Sequence, residues 1–361
     1  MPEQSVLLVL GNSTGGIGTH VAALAAACTA AGWQVTVCGP APADQLFGFS
    51  GTGATFAGLP IGLAMLSNRS RRRTLRELAG HHAVVHAHGL QAGVVVGLVC
   101  RNQSHLVVTW HNAPLSRGLR RWVHVRLERM AARRAEITIG ASDDLVVRAR
   151  RAGAGDARFL PVAPPAVAAP SADRLALRRA LSLGDRPLVL AVGRLHRQKR
   201  FDVLVSAAAA WRQRVPVPAV LIAGEGPERE VLQGMASALG VDVRLLGQRH
   251  DVADLMSVAD VVVLPSAWEA RPLAAQEALA AGRALVATPV GGVPSLVGSA
   301  AVLVPVGDAE ALASAVAHLL DDPEARRRLE REALAQAAVW PDATAVAARL
   351  MAVYAELRDR S

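Results

Sequence analysis

Leu188-Val-Leu-Ala-Val-Gly193-Arg194-Leu-His-Arg-Gln-Lys199-Arg-Phe201-Asp202 is the stretch that decides how the chain is read. An apolar run of strand length stops at a glycine, two spaced cations follow, and a helical pattern begins. Such a junction points the free N–H groups and the positive dipole end of a helix at one place, which suits an anion. Arg194 and Lys199 add full charges there, a planar fork and a compact point charge fitted to a diphosphate. A solvated basic loop would show the same local pattern. What sets this loop apart is that, of the chain's 39 lysines and arginines, every one except Lys199 is arginine.

Outward from this junction the alternation repeats. Further strands are expected near residues 219–223, 242–246, 260–264, 284–287 and 301–304, with helices between them, which implies a parallel doubly wound sheet. The first half alternates in the same way. Residues 6–10 read as a buried strand, followed by Gly11-Asn-Ser-Thr-Gly15-Gly16-Ile-Gly18-Thr19-His20, an Ala-rich helix to about residue 31, and a strand at 33–38. Residues 40–66 carry no usable period. A Pro/Ala-rich stretch at 160–171 breaks both periodicities and reads as a linker. The fold class expected is therefore α/β, with two Rossmann-like domains, 1–165 and 172–338, facing across a cleft.

The Gly15, Gly16 and Gly18 loop invites a nicotinamide reading, but its spacing fits the dinucleotide fingerprint only loosely. The second strand ends Val37-Cys38-Gly39-Pro40, with no carboxylate for a ribose. Tyr354 and Lys199, the sole residues of their kinds, cannot form a Tyr-x-x-x-Lys pair. A nicotinamide-dependent oxidoreductase therefore stands only as a lesser alternative. The glycines still let the backbone approach a ligand closely.

With 361 residues and 52% hydrophobic content, two ordinary domains with large cores are expected. The formal charge of +9 is unevenly placed. Residues 1–165 hold 17 arginines against 8 acidic residues, while the rest balances at 22 and 22. The first half is therefore the one to meet an anionic partner. Three cysteines without a CxxC pair argue against a disulfide scaffold or a zinc site. The N-terminal apolar run reads as a strand rather than a signal peptide, and no run has the length of a membrane span. The location expected is the cytoplasm, with peripheral attachment at the inner face of the membrane.

Two basic stretches carry that expectation. Arg69, Arg71, Arg72, Arg73 and Arg76 surround Leu75 and Leu78 on one prospective helix, as in a segment drawn to anionic headgroups. The second runs from Arg117 to Arg134 with Trp122, Val125, Leu127 and Met130 interspersed. Nucleic acid is not expected, because no recognised motif and no aromatic platform is present.

Short apolar runs ending in His86-Ala-His88-Gly89 and in Trp110-His111-Asn112 place imidazoles at carboxyl ends of strands, where open sheets bind ligands. At least one of His88 and His111 is expected at the ligand, His111 by preference. Asp143 and Asp144 are read as first-turn helix carboxylates rather than as a metal pair. The most specific stretch is Pro265-Ser-Ala-Trp-Glu269-Ala-Arg271-Pro272-Leu-Ala-Ala-Gln-Glu277. Glu277, in the second turn of a helix, suits the two hydroxyls of a ribose, and Glu269, on the loop, those of a second sugar.

Together, Gly15-Gly16-x-Gly-Thr-His20, Gly193-Arg194-x4-Lys199, Ala223-Gly-Glu-Gly-Pro227, Glu269-x7-Glu277 and Gly291-Gly292-Val-Pro resemble the family-4 retaining glycosyltransferases of the GT-B fold. The likeness runs over essentially the whole chain. It implies a hexose donor linked to UDP or GDP and bound to the second domain. Arg194 and Lys199 would hold the diphosphate, Glu277 the ribose, and Glu269 with His111 the transferred sugar, while Gly16 closes over the donor. It implies no metal and no other cofactor, because the cations take the place of a divalent ion. It also implies that residues 341–361 cross back onto the first domain, and that the acceptor is a membrane-associated lipid or glycan. A non-catalytic sugar-nucleotide-binding protein is the alternative. The chain departs from the family at Ala270 and Arg271, where a glycine and an aromatic are usual, and Arg271 points to an anionic sugar.

Overall fold

The computed structural model describes residues 4–13, 15–101, 104–113, 118–162 and 170–360. The chain divides into two compact units, Met1–Ala163 with Pro341–Ser361, and Pro164–Trp340. Most of the linker stretch, and Arg117, lie outside the described residues.

The first unit runs β1 (Ser5–Leu10), α1 (Gly16–Ala30), β2 (Gln34–Gly39), α2 (Ala41–Phe47), β3 (Thr55–Gly58), α3 (Arg69–Gly80), β4 (Val84–His88), α4 (Leu90–Val99), β5 (His105–Trp110), α5 (Gly118–Arg134), β6 (Ile137–Gly140), α6 (Asp143–Ala152) and β7 (Ala157–Phe159). Its seven strands are all parallel, in the order β3-β2-β1-β4-β5-β6-β7. β1 is buried along its whole length, as a central strand covered on both faces must be.

The second unit runs α7 (Arg174–Ala180), β8 (Leu188–Val192), α8 (Phe201–Ala208), β9 (Ala219–Ala223), α9 (Arg229–Leu239), β10 (Val243–Gly247), α10 (Val252–Val258), β11 (Val261–Leu264), α11 (Leu273–Ala280), β12 (Ala284–Ala287), α12 (Val293–Val297), β13 (Val302–Leu303), α13 (Ala309–Asp321) and α14 (Pro323–Ala338). Its six parallel strands are ordered β10-β9-β8-β11-β12-β13. Apolar layers cover both faces of this sheet. Val189, Ile222 and Val263 belong to one, Leu190, Leu221 and Val262 to the other, following the period of two along a strand.

The last helix, α15 (Ala343–Arg358), belongs to the first unit. Val346, Leu350, Val353 and Leu357 join the core of β1 and α1. The Tyr354 hydroxyl lies 2.6 Å from His86 Nδ1 on β4, and Arg158 of β7 pairs with Glu356.

Candidate functional site

In each all-parallel sheet the strand order reverses once: between β1 and β4 in the first unit, between β8 and β11 in the second. At such a point the loops leaving two adjacent strands part in opposite directions, and the crevice left between them takes ligands.

In the second unit, the structure brings Gly193, Lys199, Glu269, Gly291 and Gly292 together at that crevice. Lys199 follows β8 and Glu269 follows β11. Lys199 Nζ lies 2.6 Å from Glu269 Oε1, and Ser266 Oγ donates to the same oxygen at 2.7 Å. Backbone contacts fix the two loops to each other: Ala267 N donates to Gln198 O at 2.7 Å, and Gln198 Nε2 to Trp268 O at 2.8 Å. Gly193 has φ +153°, and a Cβ there would stand 3.2 Å from Lys199 Cε, so the lysine stem lies across the glycine. Gly291 has φ +53°, and its Cβ would fall 1.9 Å from Glu269 O, while Gly292 N donates to that oxygen at 2.9 Å. These two glycines act on the Glu269 loop through the backbone.

Arg194 is exposed, with no hydrogen bond or ion pair among the described residues. Lys199 has three N–H donors, and its carboxylate contact uses one. The loop therefore keeps free donors of both kinds for a polyanion. Glu277, on α11, also has no partner among the described residues, and burial pushes its carboxyl up to about 7. Arg271 Nε donates to Gln276 Oε1 at 3.3 Å, and its guanidinium carbon lies 5.6 Å from the Trp340 ring. Burial lowers the Arg271 pKa to about 10.

In the first unit, a cavity of about 560 Å³ opens at the carboxyl ends of β1, β4 and β5. Asn12, Ser13, Gln91 and Asn112 supply neutral polar groups to its wall, and Ile17, Leu63 and Leu127 supply apolar ones. His88 is among its described lining residues, whereas His111 is not. His111 is buried, its Nε2 3.2 Å from His88 Nδ1. His20, from α1, completes the group, with ring centroids 5.7 Å from His88 and 5.5 Å from His111. Among the described residues, His20, His88 and His111 form the one cluster able to hold a metal ion, their ligand atoms all within 4.8 Å of one another. Burial, followed by the neighbouring imidazoles, keeps His88 and His111 well below the usual histidine pKa, and burial lowers His20 to about 4. All three are neutral at physiological pH, each presenting one donor and one acceptor.

The N-terminal glycines divide by role. A Cβ on Gly15 would meet open space, at the N-cap of α1, whereas one on Gly18 would stand 2.2 Å from the Phe47 ring. Gly18 is thus a packing glycine, and Gly15 and Gly16 are the ones at a helix N-terminus with no acidic residue in its first turn.

The basic stretches also divide. The apolar side of α3 is used internally: Leu75 is wholly buried, and Arg76 Nε donates to Val99 O at 2.9 Å. Arg69, Arg71, Arg73 and Arg76 are exposed and Arg72 is half-buried, so what α3 offers outward is mainly its arginines. On α5, Leu119 is 78% and Trp122 53% exposed, with Arg126 stacked 3.8 Å over the indole.

His20, Ser266, Gln276 and Trp340 are site neighbours that sequence spacing did not single out. His20 had a signal in its position one helical turn beyond Gly16. The other three depend on side-chain direction alone.

Comparison with known proteins supports one family over both units. The model of the glycosyl transferase 4-like domain matches residues 15–165, and that of glycosyl transferases group 1 matches residues 173–336. Alpha-D-kanosaminyltransferase of Streptomyces kanamyceticus is 30% identical over 313 residues, covering 80% of each chain. The GDP-mannose-dependent alpha-(1-6)-phosphatidylinositol monomannoside mannosyltransferase of Mycolicibacterium smegmatis is 35% identical over 227 residues, 56% of this chain and 58% of that protein. Among solved structures, Anabaena HepE in complex with UDP superposes with a TM-score of 0.84 at 20% identity, covering 98% of this chain and 100% of that one. At that identity the likeness establishes the fold.

Proposed function

The chain belongs to the family-4 glycosyltransferases of the GT-B fold, and we propose that it moves a hexose from a UDP- or GDP-sugar to an acceptor hydroxyl with retention of anomeric configuration. The observation that carries this reading is the cation pair at the switch point of the second sheet, Arg194 without a partner among the described residues and Lys199 held 2.6 Å from Glu269.

In this reading the donor diphosphate is met by Arg194 and by the remaining N–H groups of Lys199. Negative charge grows on the departing diphosphate as the glycosidic bond breaks, and preorganised cations stabilise it at that moment. That is the work a divalent ion would otherwise do, so the reaction is proposed to be metal-independent. Glu277 accepts the ribose hydroxyls, and the N-terminus of α1 at Gly15 and Gly16 closes over the donor. Glu269 and His111 bind hydroxyls of the transferred sugar. Retention is assigned to attack from the face of the leaving group, the departing phosphate taking the acceptor proton.

The cavity of the first unit is proposed to take the acceptor. Its polar and apolar wall suits a hydroxylated head on an apolar body, as in a lipid or lipid-linked glycan. The relative named for mannosyl transfer to phosphatidylinositol monomannoside supports a lipid acceptor. The arginine side of α3, with Trp122 and Leu119 of α5, is proposed to rest on the anionic inner face of the cytoplasmic membrane.

The test is release of UDP or GDP from nucleotide sugars in the presence of a mixed lipid and glycan extract, with and without a chelator. Acceptor-dependent release unaffected by chelation supports the reading. Saturable donor binding with no release would make the protein a sugar-nucleotide binder instead. Loss of release on chelation, restored by added zinc, would direct attention to His20, His88 and His111.

A further inference from the structure

Arg271 stands two residues after Glu269, on the loop that leads into α11, and its surroundings hold an excess of hydrogen-bond donors. Its Nη1 and Nη2 make no hydrogen bond or ion pair among the described residues, and Nε is satisfied by Gln276 Oε1 at 3.3 Å. Gln276 is wholly buried, and its Nε2 has no partner there. The buried Nε1 of Trp340 has none either, and the Trp340 ring lies 5.6 Å from the guanidinium carbon. Guanidinium, amide and indole N–H groups are all donors. No described carboxylate answers the charge.

A cation withdrawn from water without a counter-ion is costly, and each buried donor left unpaired adds to the cost. Water molecules would satisfy the amide and the indole, but water brings no charge to balance the guanidinium. A planar oxyanion supplies both: two acceptor oxygens for the fork of an arginine, and the missing negative charge. The position on the chain points to its source, since Glu269 on the same loop is assigned to the transferred sugar.

We propose that Arg271, with Gln276 and Trp340, receives a carboxylate carried by the donor sugar, so that the protein transfers a hexuronic acid from its nucleoside diphosphate. The inference rests on the donor site described under the proposed function. The carboxylate takes no part in the bond change. The bond between C1 and the phosphate oxygen breaks, the acceptor oxygen bonds to C1, and the acceptor proton leaves on the diphosphate.

The experiment is calorimetric titration of the full chain with matched pairs, UDP-glucuronate against UDP-glucose and GDP-mannuronate against GDP-mannose, together with UDP and GDP alone. Wild type is expected to bind the uronate of one pair about tenfold or more tightly than its neutral partner, the scale of one charge-assisted bidentate contact. Arg271→Met is expected to bring that ratio to about one while leaving the affinity for the free diphosphate unchanged. Gln276→Leu, read in the same way, gives a second and milder loss of preference should Arg271→Met fail to fold. Equal affinities within a pair, or a preference that survives both substitutions, overturn the proposal alone. Failure of wild type to bind UDP and GDP removes the donor site and the proposal with it. If Arg271→Met weakens binding of inositol phosphate and leaves both donor pairs untouched, the anion belongs to the acceptor and the proposal is overturned.

Discussion

Glu277 shows how one buried group ties stability to binding. Its carboxyl is pushed up to about 7 by burial, above the ordinary value of 4.5. The folded chain therefore keeps a proton between about pH 4.5 and 7 that the unfolded chain has released, and stability from this group is lost as pH rises through that window. Glu277→Gln should be more stable than wild type by on the order of 2 kcal/mol at pH 8, with the difference vanishing near pH 4.5. Urea unfolding at the two pH values checks this. In the proposed donor site the ribose hydroxyls donate to this carboxylate, so donor binding there would run the opposite way. Affinity for UDP or GDP should fall up to about tenfold between pH 8 and pH 6, and Glu277→Gln should flatten the profile. A wild-type profile already flat would remove Glu277 from the nucleotide site. The Lys199–Glu269 contact is a different kind of residue-level feature. Each side chain is mostly buried, at 19% and 9% exposure, so removing one partner strands the other.

Among elements, the decisive ones are the loops after β8, β11 and β12, which backbone contacts join into one framework. Gly291 is its most sensitive point, since a Cβ at φ +53° would meet Glu269 O at 1.9 Å. Gly291→Ala should displace the Glu269 loop and lower kcat/KM by about a hundredfold, equivalent to roughly 2.7 kcal/mol of transition-state stabilisation. Far-ultraviolet circular dichroism should be unchanged. Activity within about twofold of wild type would show that the loop does not depend on that approach.

The same elements explain what was legible in the sequence. β8, β9 and β12 read correctly because strands buried on both faces are continuous apolar runs bounded by glycine or proline. α2 and β3 went unread within residues 40–66. β3 is a four-residue edge strand that is only half-buried, and it has neither an apolar run nor a clean alternation. β7, three residues long at the other edge, escaped for the same reason. Lys199 and Glu269 were accessible because each closely follows a strand, so sequence position alone puts it at a carboxyl end. The Arg271–Gln276–Trp340 group was not, because which way a side chain turns from a loop or a helix end leaves no periodic trace.

At the scale of the whole molecule, charge and connectivity matter most. The excess of +9 lies in the first 165 residues, and the exposed side of α3 together with Leu119 and Trp122 of α5 gives it a surface. Since the apolar side of α3 is committed to the core, membrane attachment through α3 should be electrostatic. Flotation with vesicles containing phosphatidylserine should succeed at low salt and weaken strongly by about 0.5 M, where the Debye length is only a few ångströms. Equal binding to neutral vesicles would contradict it. α15 closes the first unit, burying Val346, Leu350, Tyr354 and Leu357 against β1 and α1. Tyr354→Phe leaves buried His86 Nδ1 without its partner at 2.6 Å and should cost about 1–3 kcal/mol in urea unfolding. A cost near zero would mean that the hydroxyl contributes nothing to fastening α15.

The most direct test of the central claim, that Arg194 and Lys199 grip a diphosphate at the switch point of the second sheet, is calorimetric titration of wild type and Lys199→Ala. The ligands are uridine, UMP and UDP, with the guanosine series alongside. Wild type should bind one diphosphate at least about tenfold more tightly than its nucleoside, and Lys199→Ala should lose about tenfold or more on the diphosphate while binding the nucleoside as before. A Lys199→Ala protein that is folded and keeps the full preference for the diphosphate would contradict the account.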